Sequence, residues 1–434
     1  MARTVFSLLL SAAVLSSGAF AAGAEGFPPP HRLPALKEWP DLMTLNDGSR
    51  VSSPADWEKR REEILELYRH YVYGTLPEDE ISVSSAIKDT AWENTRKMTI
   101  SVARGEISAS FSVLITLPRG NAPEKGFPCY IEYGFLWGGA APSPSPNCLA
   151  AAERGYAGIT YIPTDVAGDN SLHLGMFYTL YPFEPTNAEF PGVLAIWGWG
   201  VSRIIDALEG GAGRQMNIDA SCCIAAGVSR YGKSVLVAGA YDPRIRVTVP
   251  SCSGAGGAAV FRGDNHGKKY DLSSLGGPES WENESINEPL ANLQGGEGYW
   301  FCKNFTLIPS QKCIPVEQYM LCALCAGENR HLIVVTGVMS EGWNNTEGQC
   351  LAWLASRQVW DLWGQRENSA MIVHLDGHAI LPSDLEAILD HCDVKLFGAD
   401  PAGTVSGLKN MGAEVFLICN RDRLDEAFGP FLAD

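Results

Sequence analysis

The stretch Cys223-Ile224-Ala225-Ala226-Gly227-Val228-Ser229-Arg230-Tyr231-Gly232-Lys233-Ser234-Val235-Leu236-Val237 decides the fold. It opens as a short, unalternating apolar run, the pattern of a strand covered on both faces. The run breaks at Gly227, and apolar residues resume after Gly232 at helical spacing as far as Tyr241. Strand, sharp turn and helix in so few residues read as one βα unit that lifts Ser229 above the carboxyl edge of a sheet, a nucleophile elbow. Glycine is needed where any other side chain would collide with the turn. The start of the following helix also points backbone N–H groups at the space where a tetrahedral oxyanion would form. The second glycine comes three residues after the serine, where the usual elbow has it at two. A capped helix start after an ordinary βα turn is the competing reading.

Similar apolar runs, bounded by Gly or Pro, recur outward from this stretch at 129–135, 156–162, 245–249, 332–338 and 370–375. Helical patterns lie between them at 192–209, 232–241, 317–325, 350–363 and 383–392. Alternation of strand and helix predicts one doubly wound α/β domain on a mainly parallel sheet, with loops over one end. Ser53-Pro54-Ala55-Asp56 opens an earlier helix, with Ser53 as N-cap and Pro54 at the first helical position. Ser383-x-x-Glu386 reads as a capping box for the last helix. The irregular stretch 253–297, rich in Gly, Asn, Asp and Glu, is long enough to expect function there. The tail 397–434 is weakly patterned, with one candidate edge strand at 415–419.

Composition narrows the class. Of 434 residues, 46% are hydrophobic and 19% charged, so the chain can build a large core. The 33 basic and 50 acidic residues leave a net charge of −17 and no basic cluster, which argues against a nucleic-acid partner. Residues 1–21 run from Met-Ala-Arg through an apolar stretch to Ala19-Phe20-Ala21. They read as a signal peptide cleaved after Ala21, too short to span a membrane. A secreted or periplasmic protein is expected, with residues 22–434 as a single domain. Twelve cysteines are too few for a disulfide scaffold of this length. Cys322-x-x-Cys325 lacks a second pair at zinc-site spacing, so neither a metal nor a cofactor is expected.

A serine nucleophile needs a base and an acid, which follow it in that fold class in the order Ser, acid, His. His378, in Asp376-Gly377-His378-Ala379, falls in a loop at the same sheet edge. His374 falls within a strand, His391 within a helix and His331 at the opposite edge. Glu341 follows the strand ending at 338 and is the candidate acid, placed to fix the imidazole tautomer and stabilise the imidazolium. Asp376 is a second candidate, but two residues from His378 its carboxylate would struggle to face the ring. Arg230 and Lys233 beside the serine point to a polar substrate, with Arg230 adding a charge-assisted donor to the oxyanion site.

Gly227-Val228-Ser229-Arg230-Tyr231-Gly232-Lys233 resembles the G-C-S-R-x-G-K signature of the glucuronoyl esterases, carbohydrate esterase family 15. Residues 249–259 resemble that family's P-x-x-S-G-x-G-G-A-A segment, and Trp197-Gly198-Trp199-Gly200-Val201-Ser202-Arg203 resembles its W-x-W-G-x-S-R helix. Leu45-Asn46-Asp47-Gly48 through Tyr73-Gly74 resembles its N-terminal region, so the likeness covers about residues 40–396. It implies an α/β-hydrolase fold and hydrolysis of esters of glucuronic or 4-O-methyl-glucuronic acid, as in glucuronoxylan or lignin-carbohydrate cross-links. It implies Ser229 as nucleophile, His378 as base, Arg230 at the oxyanion and Lys233 on sugar hydroxyls. Trp343 matches the family's sugar-contacting Trp, and Glu297 and Glu282 match polar sugar ligands. A monomer without membrane or nucleic-acid partners is expected.

Three features depart from the family pattern. Cys252 stands where fungal members carry the catalytic Glu, so the acid is expected from Glu341-Gly342-Trp343, the arrangement of many bacterial members with Glu for Asp. Val228 replaces the Cys that anchors the fungal triad by a disulfide. The inserted stretch 288–296 lengthens a loop near the pocket. An acetyl or other acyl esterase of the same fold and a non-catalytic carbohydrate-binding relative are the alternative readings.

Overall fold

The apolar runs condense into one nine-stranded sheet in this computed structural model, which describes residues 26–136, 140–263, 266–282, 288–339 and 342–400 together with Asn420 and Asp422. The strands are β1 (Ser82–Asp89), β2 (Thr95–Arg104), β3 (Ile107–Thr116), β4 (Phe127–Tyr133), β5 (Ala157–Tyr161), β6 (Ile218–Val228) and β7 (Ile245–Ser251). A separate two-stranded ribbon, β8 (Lys269–Tyr270) and β9 (Trp281–Glu282), precedes β10 (His331–Gly337) and β11 (Ser369–His374). Across the large sheet the order is β1-β2-β3-β5-β4-β6-β7-β10-β11. Every neighbouring pair from β5 to β11 is parallel, whereas β1, β2 and β3 form an antiparallel flank that joins at β5. The sequence pattern misses that flank because β1 is largely exposed and carries no apolar run to read.

The helices are α1 (Pro54–Tyr68), α2 (Pro146–Glu153), α3 (Met176–Leu180), α4 (Val193–Ala207), α5 (Gly213–Met216), α6 (Arg230–Tyr241), α7 (Leu290–Gln294), α8 (Gln318–Leu324), α9 (Thr346–Ser356) and α10 (Pro382–Phe397). They cover both sheet faces. Successive strand residues point to opposite sides, so Ile131 and Val334 join a core with α1, α4, α6, α8 and α9, while Tyr130 and Val335 join one with α2 and α10. This double burial is why the parallel strands read as unbroken apolar runs.

Ser53 caps α1 as expected, its Oγ accepting from the Asp56 N–H at 3.2 Å. The α10 start is a correction. Leu381, not Ser383, is the N-cap, and its N–H donates to Asp384 Oδ2 at 2.9 Å. Pro382 has a fixed φ and no N–H to satisfy, so the helix starts on it and Asp384 falls at the third position. The stretch 253–297 is not structureless, since it holds the β8–β9 ribbon and α7. Cys322 and Cys325 are buried with their thiols pushed up by that burial. The leader and the candidate strand at 415–419 lie outside the described residues. No helix among the described residues is long and apolar enough to cross a membrane.

Candidate active site

Strand β6 ends at Val228 and α6 begins at Arg230, leaving Ser229 alone to make the turn. It does so at φ 60 and ψ −131, a conformation that costs a non-glycine residue about 1–3 kcal/mol and persists only where its surroundings impose it. The imposing contact is the Ser229 N–H, which donates to Ser251 O at the end of β7 at 2.9 Å. Both glycines are needed for this approach. A Cβ on Gly227 would lie 2.7 Å from Tyr231 O, and one on Gly232 would lie 2.7 Å from Ser251 O and 2.9 Å from Gly227 O. The second glycine sits three residues after the serine because that is where the first turn of α6 crosses the end of β7. Ser229 is half-buried, and the first-turn N–H groups of α6 have no acceptor within the helix.

His378 lies in the loop after β11, two strands from β7 across β10. Ser251 Oγ donates to Ala379 O at 3.2 Å, so the residue that anchors the serine turn also fastens the histidine loop. Trp343 packs on His378, ring centroids 5.4 Å apart and planes at 50°. Its neighbour Asn344 is fully buried, with Nδ2 3.3 Å from His378 Nδ1 and Oδ1 without a partner among the described residues. With the amide turned about, Oδ1 would accept from a His378 Nδ1–H.

Cys252 lies in the same group. Burial opposes ionisation of this thiol most strongly, yet the neighbouring His374 and His378 imidazoles pull it down to about 6. Burial likewise disfavours a charged His374, but Asp384, Cys252 and Gly377 O raise that imidazole to about 10. Its Nδ1 is 3.0 Å from Asp384 Oδ2, an ion pair rather than a well-aligned hydrogen bond, and Nε2 is 2.8 Å from Gly377 O. Glu341 lies outside the described residues. Asp376 is exposed and accepts from the Gly377 N–H at 2.8 Å. His331 and His391 pair with each other at 2.9 Å, away from this edge, and burial lowers both.

Arg230 reaches along the other side of the serine, its Nε 3.1 Å from Asp169 Oδ2 and its guanidinium 5.7 Å from the Phe135 ring. Asp169 Oδ1 accepts from Tyr299 Oη and Trp300 Nε1, each at 3.0 Å. Lys233 points inward. Its ammonium is 1% exposed and donates to Ser253 O at 2.8 Å, Ala255 O at 2.7 Å and Glu288 Oε2 at 2.6 Å. Those three acceptors match its three donors, so direct contact with a sugar requires one of them to be exchanged. Burial raises the Glu288 carboxyl to about 7 against the pull of Lys233. Trp300 lies beside the ammonium at 5.7 Å, and the nearby Glu297 keeps a buried Oε2 without a partner among the described residues. Glu282 is exposed on the β8–β9 ribbon, 3.4 Å from Lys269.

Residues 100–364 match the family described as "Glucuronyl esterase, fungi". A 4-O-methyl-glucuronoyl methylesterase of Schizophyllum commune is 31% identical over 393 residues, 88% of this chain and 89% of that protein. The chain belongs to the glucuronoyl esterase family. A multidomain esterase of Ruminococcus flavefaciens is 37% identical over 413 residues, 93% of this chain, which spans about half of that relative's length (51%). The carbohydrate esterase family 15 glucuronoyl esterase of Caldicellulosiruptor kristjansonii superposes with a TM-score of 0.73 at 35% identity, covering 87% of this chain and 95% of that one. The fold is accordingly that of the α/β-hydrolases.

For this glucuronoyl esterase relative, sequence reasoning missed Asp169, Ser251, His374 and Asn344. Asp169 lies in a short polar loop with nothing to mark it, and Ser251 acts through its carbonyl on Ser229 and its hydroxyl on Ala379, contacts to segments distant in sequence. His374 could have been found: a titratable residue at the last position of a buried strand faces the edge that carries the serine.

Proposed function

We propose that the protein is a serine esterase that hydrolyses esters of glucuronic or 4-O-methyl-glucuronic acid, as in links between xylan side chains and lignin alcohols. Ser229 Oγ attacks the ester carbonyl, His378 takes its proton, and the alcohol leaves with that proton to give an acyl-enzyme on Ser229. Water, activated by the same imidazole, then releases the uronic acid. Glu341 orients His378 in this reading. Arg230, held by Asp169, and the first N–H groups of α6 take the charge on the carbonyl oxygen. Trp343 gives the sugar a face to stack on, Glu297 Oε2 accepts from a hydroxyl, and Lys233 and Glu282 supply further polar contacts.

The observation that carries this reading is Ser251, which fastens the strained Ser229 turn by its carbonyl and the His378 loop by its hydroxyl. We also propose export, supported by the leader-like composition of residues 1–21. The test is a side-by-side assay of methyl glucuronate, benzyl glucuronate and acetylated xylan with native protein and Ser229→Ala. Turnover of the uronates lost with Ser229→Ala is expected. Faster release of acetate would favour an acyl carbohydrate esterase, and binding of glucuronoxylan without turnover would overturn catalysis altogether.

A further inference from the structure

The proposed chemistry gives no role to Asn344, the amide that faces Nδ1 of the base. Its side chain is fully buried, with Nδ2 3.3 Å from His378 Nδ1. It sits at the end of the short turn Gly342–Asn344 and is held there from behind. Asn344 O accepts from Gln349 Nε2 at 2.9 Å, and the same Gln349 amide donates to Thr336 Oγ1 of β10 at 3.0 Å. The next residue, Asn345, caps α9, its Oδ1 accepting from the Gly348 N–H at 2.9 Å. Strand β10 and helix α9 therefore fix the point from which the Asn344 side chain reaches the His378 loop. That loop is in turn fastened to the end of β7 by Ser251 Oγ, which donates to Ala379 O at 3.2 Å.

We propose that Asn344 is a positioning residue for His378, its amide oxygen accepting from the ring Nδ1–H so that Nε2 keeps a lone pair for the serine proton. The hydrogen count decides which way the amide faces. With Nδ2 toward the ring, Nδ1 must be the acceptor, the neutral imidazole carries its hydrogen on Nε2, and no lone pair remains to take a proton. Oδ1 is then also a buried acceptor without a donor among the described residues. With the oxygen toward the ring, that acceptor gains a donor and the tautomer is the one a base requires. The amide is neutral, so the bond from Nδ1–H to Oδ1 persists whether or not Nε2 is protonated, and the ring keeps its direction through both proton transfers. Asn orients the catalytic His in the same way in papain-like proteases. The serine proton passes to Nε2 and on to the leaving alcohol, while the Nδ1 hydrogen stays in place. Stabilising the imidazolium by charge remains with Glu341 in the proposed chemistry.

This inference rests on His378 as the proposed base, but its first test needs no turnover. Nitrogen-15 spectra of histidine-labelled protein are recorded where His378 is neutral, its signals assigned by difference from His378→Ala. Hydrogen on Nδ1 is expected in native protein, and a shift of population toward Nε2–H in Asn344→Ala. In turnover of methyl glucuronate, Asn344→Ala is expected to lower kcat about tenfold with KM within about twofold. Asn344→Asp, of nearly the same shape, is expected to recover most of that loss and to raise the acid limb of kcat/KM by about one pH unit, because a carboxylate on Nδ1 favours the charged ring. A side chain that served packing alone would leave that limb where it is. The other titratable groups around the ring are Cys252 after β7, His374 at the end of β11, Asp376 in the same loop and the Glu341 of the proposed triad, and all are the same in these variants. Should Asn344→Ala not fold, native spectra and Asn344→Asp carry the test. A native His378 with its hydrogen on Nε2, an Asn344→Ala protein with unchanged kcat, or an Asn344→Asp protein with an unmoved acid limb overturns the inference. Full turnover by His378→Ala overturns the base instead and leaves the tautomer measurement standing.

Discussion

Replacing Gly232 by alanine tests the serine turn without touching the serine. The new Cβ would lie 2.7 Å from Ser251 O, 2.9 Å from Gly227 O and 3.1 Å from Ser251 N, all of them backbone atoms. Ordinary contact begins near 3.4 Å, so β7 and α6 must part by about 0.7 Å. No flexible side chain can absorb that shift. Forced overpacking of this kind costs about 1–3 kcal/mol. The same displacement stretches the Ser229 N–H to Ser251 O bond and moves the hydroxyl relative to His378, for which a loss of about 10-fold to 100-fold in kcat/KM is expected. Gly210→Ala is the internal control, since a Cβ there meets nothing within 4 Å and the backbone has an ordinary φ. It should leave activity intact and stabilise by at most about 1 kcal/mol. Urea denaturation followed by tryptophan fluorescence, with initial rates on methyl glucuronate, reads both effects. A Gly232→Ala protein with native midpoint and native kcat/KM would refute the reasoning.

Three further outcomes follow from particular contacts. Ser229→Gly should abolish turnover while raising stability by about 1 kcal/mol, because glycine relieves the φ 60 conformation, and a less stable variant would contradict the strain. Lys233→Met should destabilise by about 1–3 kcal/mol, leaving the Ser253 and Ala255 carbonyls unpaired and Glu288 buried in its protonated form without its cation, which denaturant titration would detect. The His374 imidazole is raised in the folded protein to about 10, so its contribution is full below the unfolded value of 6.5 and is lost as pH rises towards 10. The thermal-stability difference between native protein and Asp384→Asn should therefore be large near pH 6 and shrink towards pH 10, and a difference that grew with pH would be inconsistent with the pair.

The central strands were legible because each is covered on both faces, so β4, β6, β10 and β11 stand out as apolar runs between Gly and Pro. β1 was illegible for the opposite reason, being held by backbone pairing to β2 with little apolar burial of its own. At the site, Ser229 and His378 could be placed because each follows a recognisable strand at the same edge. The direction of Lys233 could not be read, since its acceptors come from the loop at 253–255 and from Glu288, whose approach is tertiary.

Covalent trapping of the nucleophile tests the central claim most directly. Native protein treated with an alkyl fluorophosphonate, digested and mapped by mass spectrometry is expected to carry one label, on Ser229, in step with loss of glucuronate ester hydrolysis. His378→Ala protein is expected to label far more slowly. Full hydrolytic activity in protein whose Ser229 stays unlabelled, or a stoichiometric label on another residue, would contradict the account.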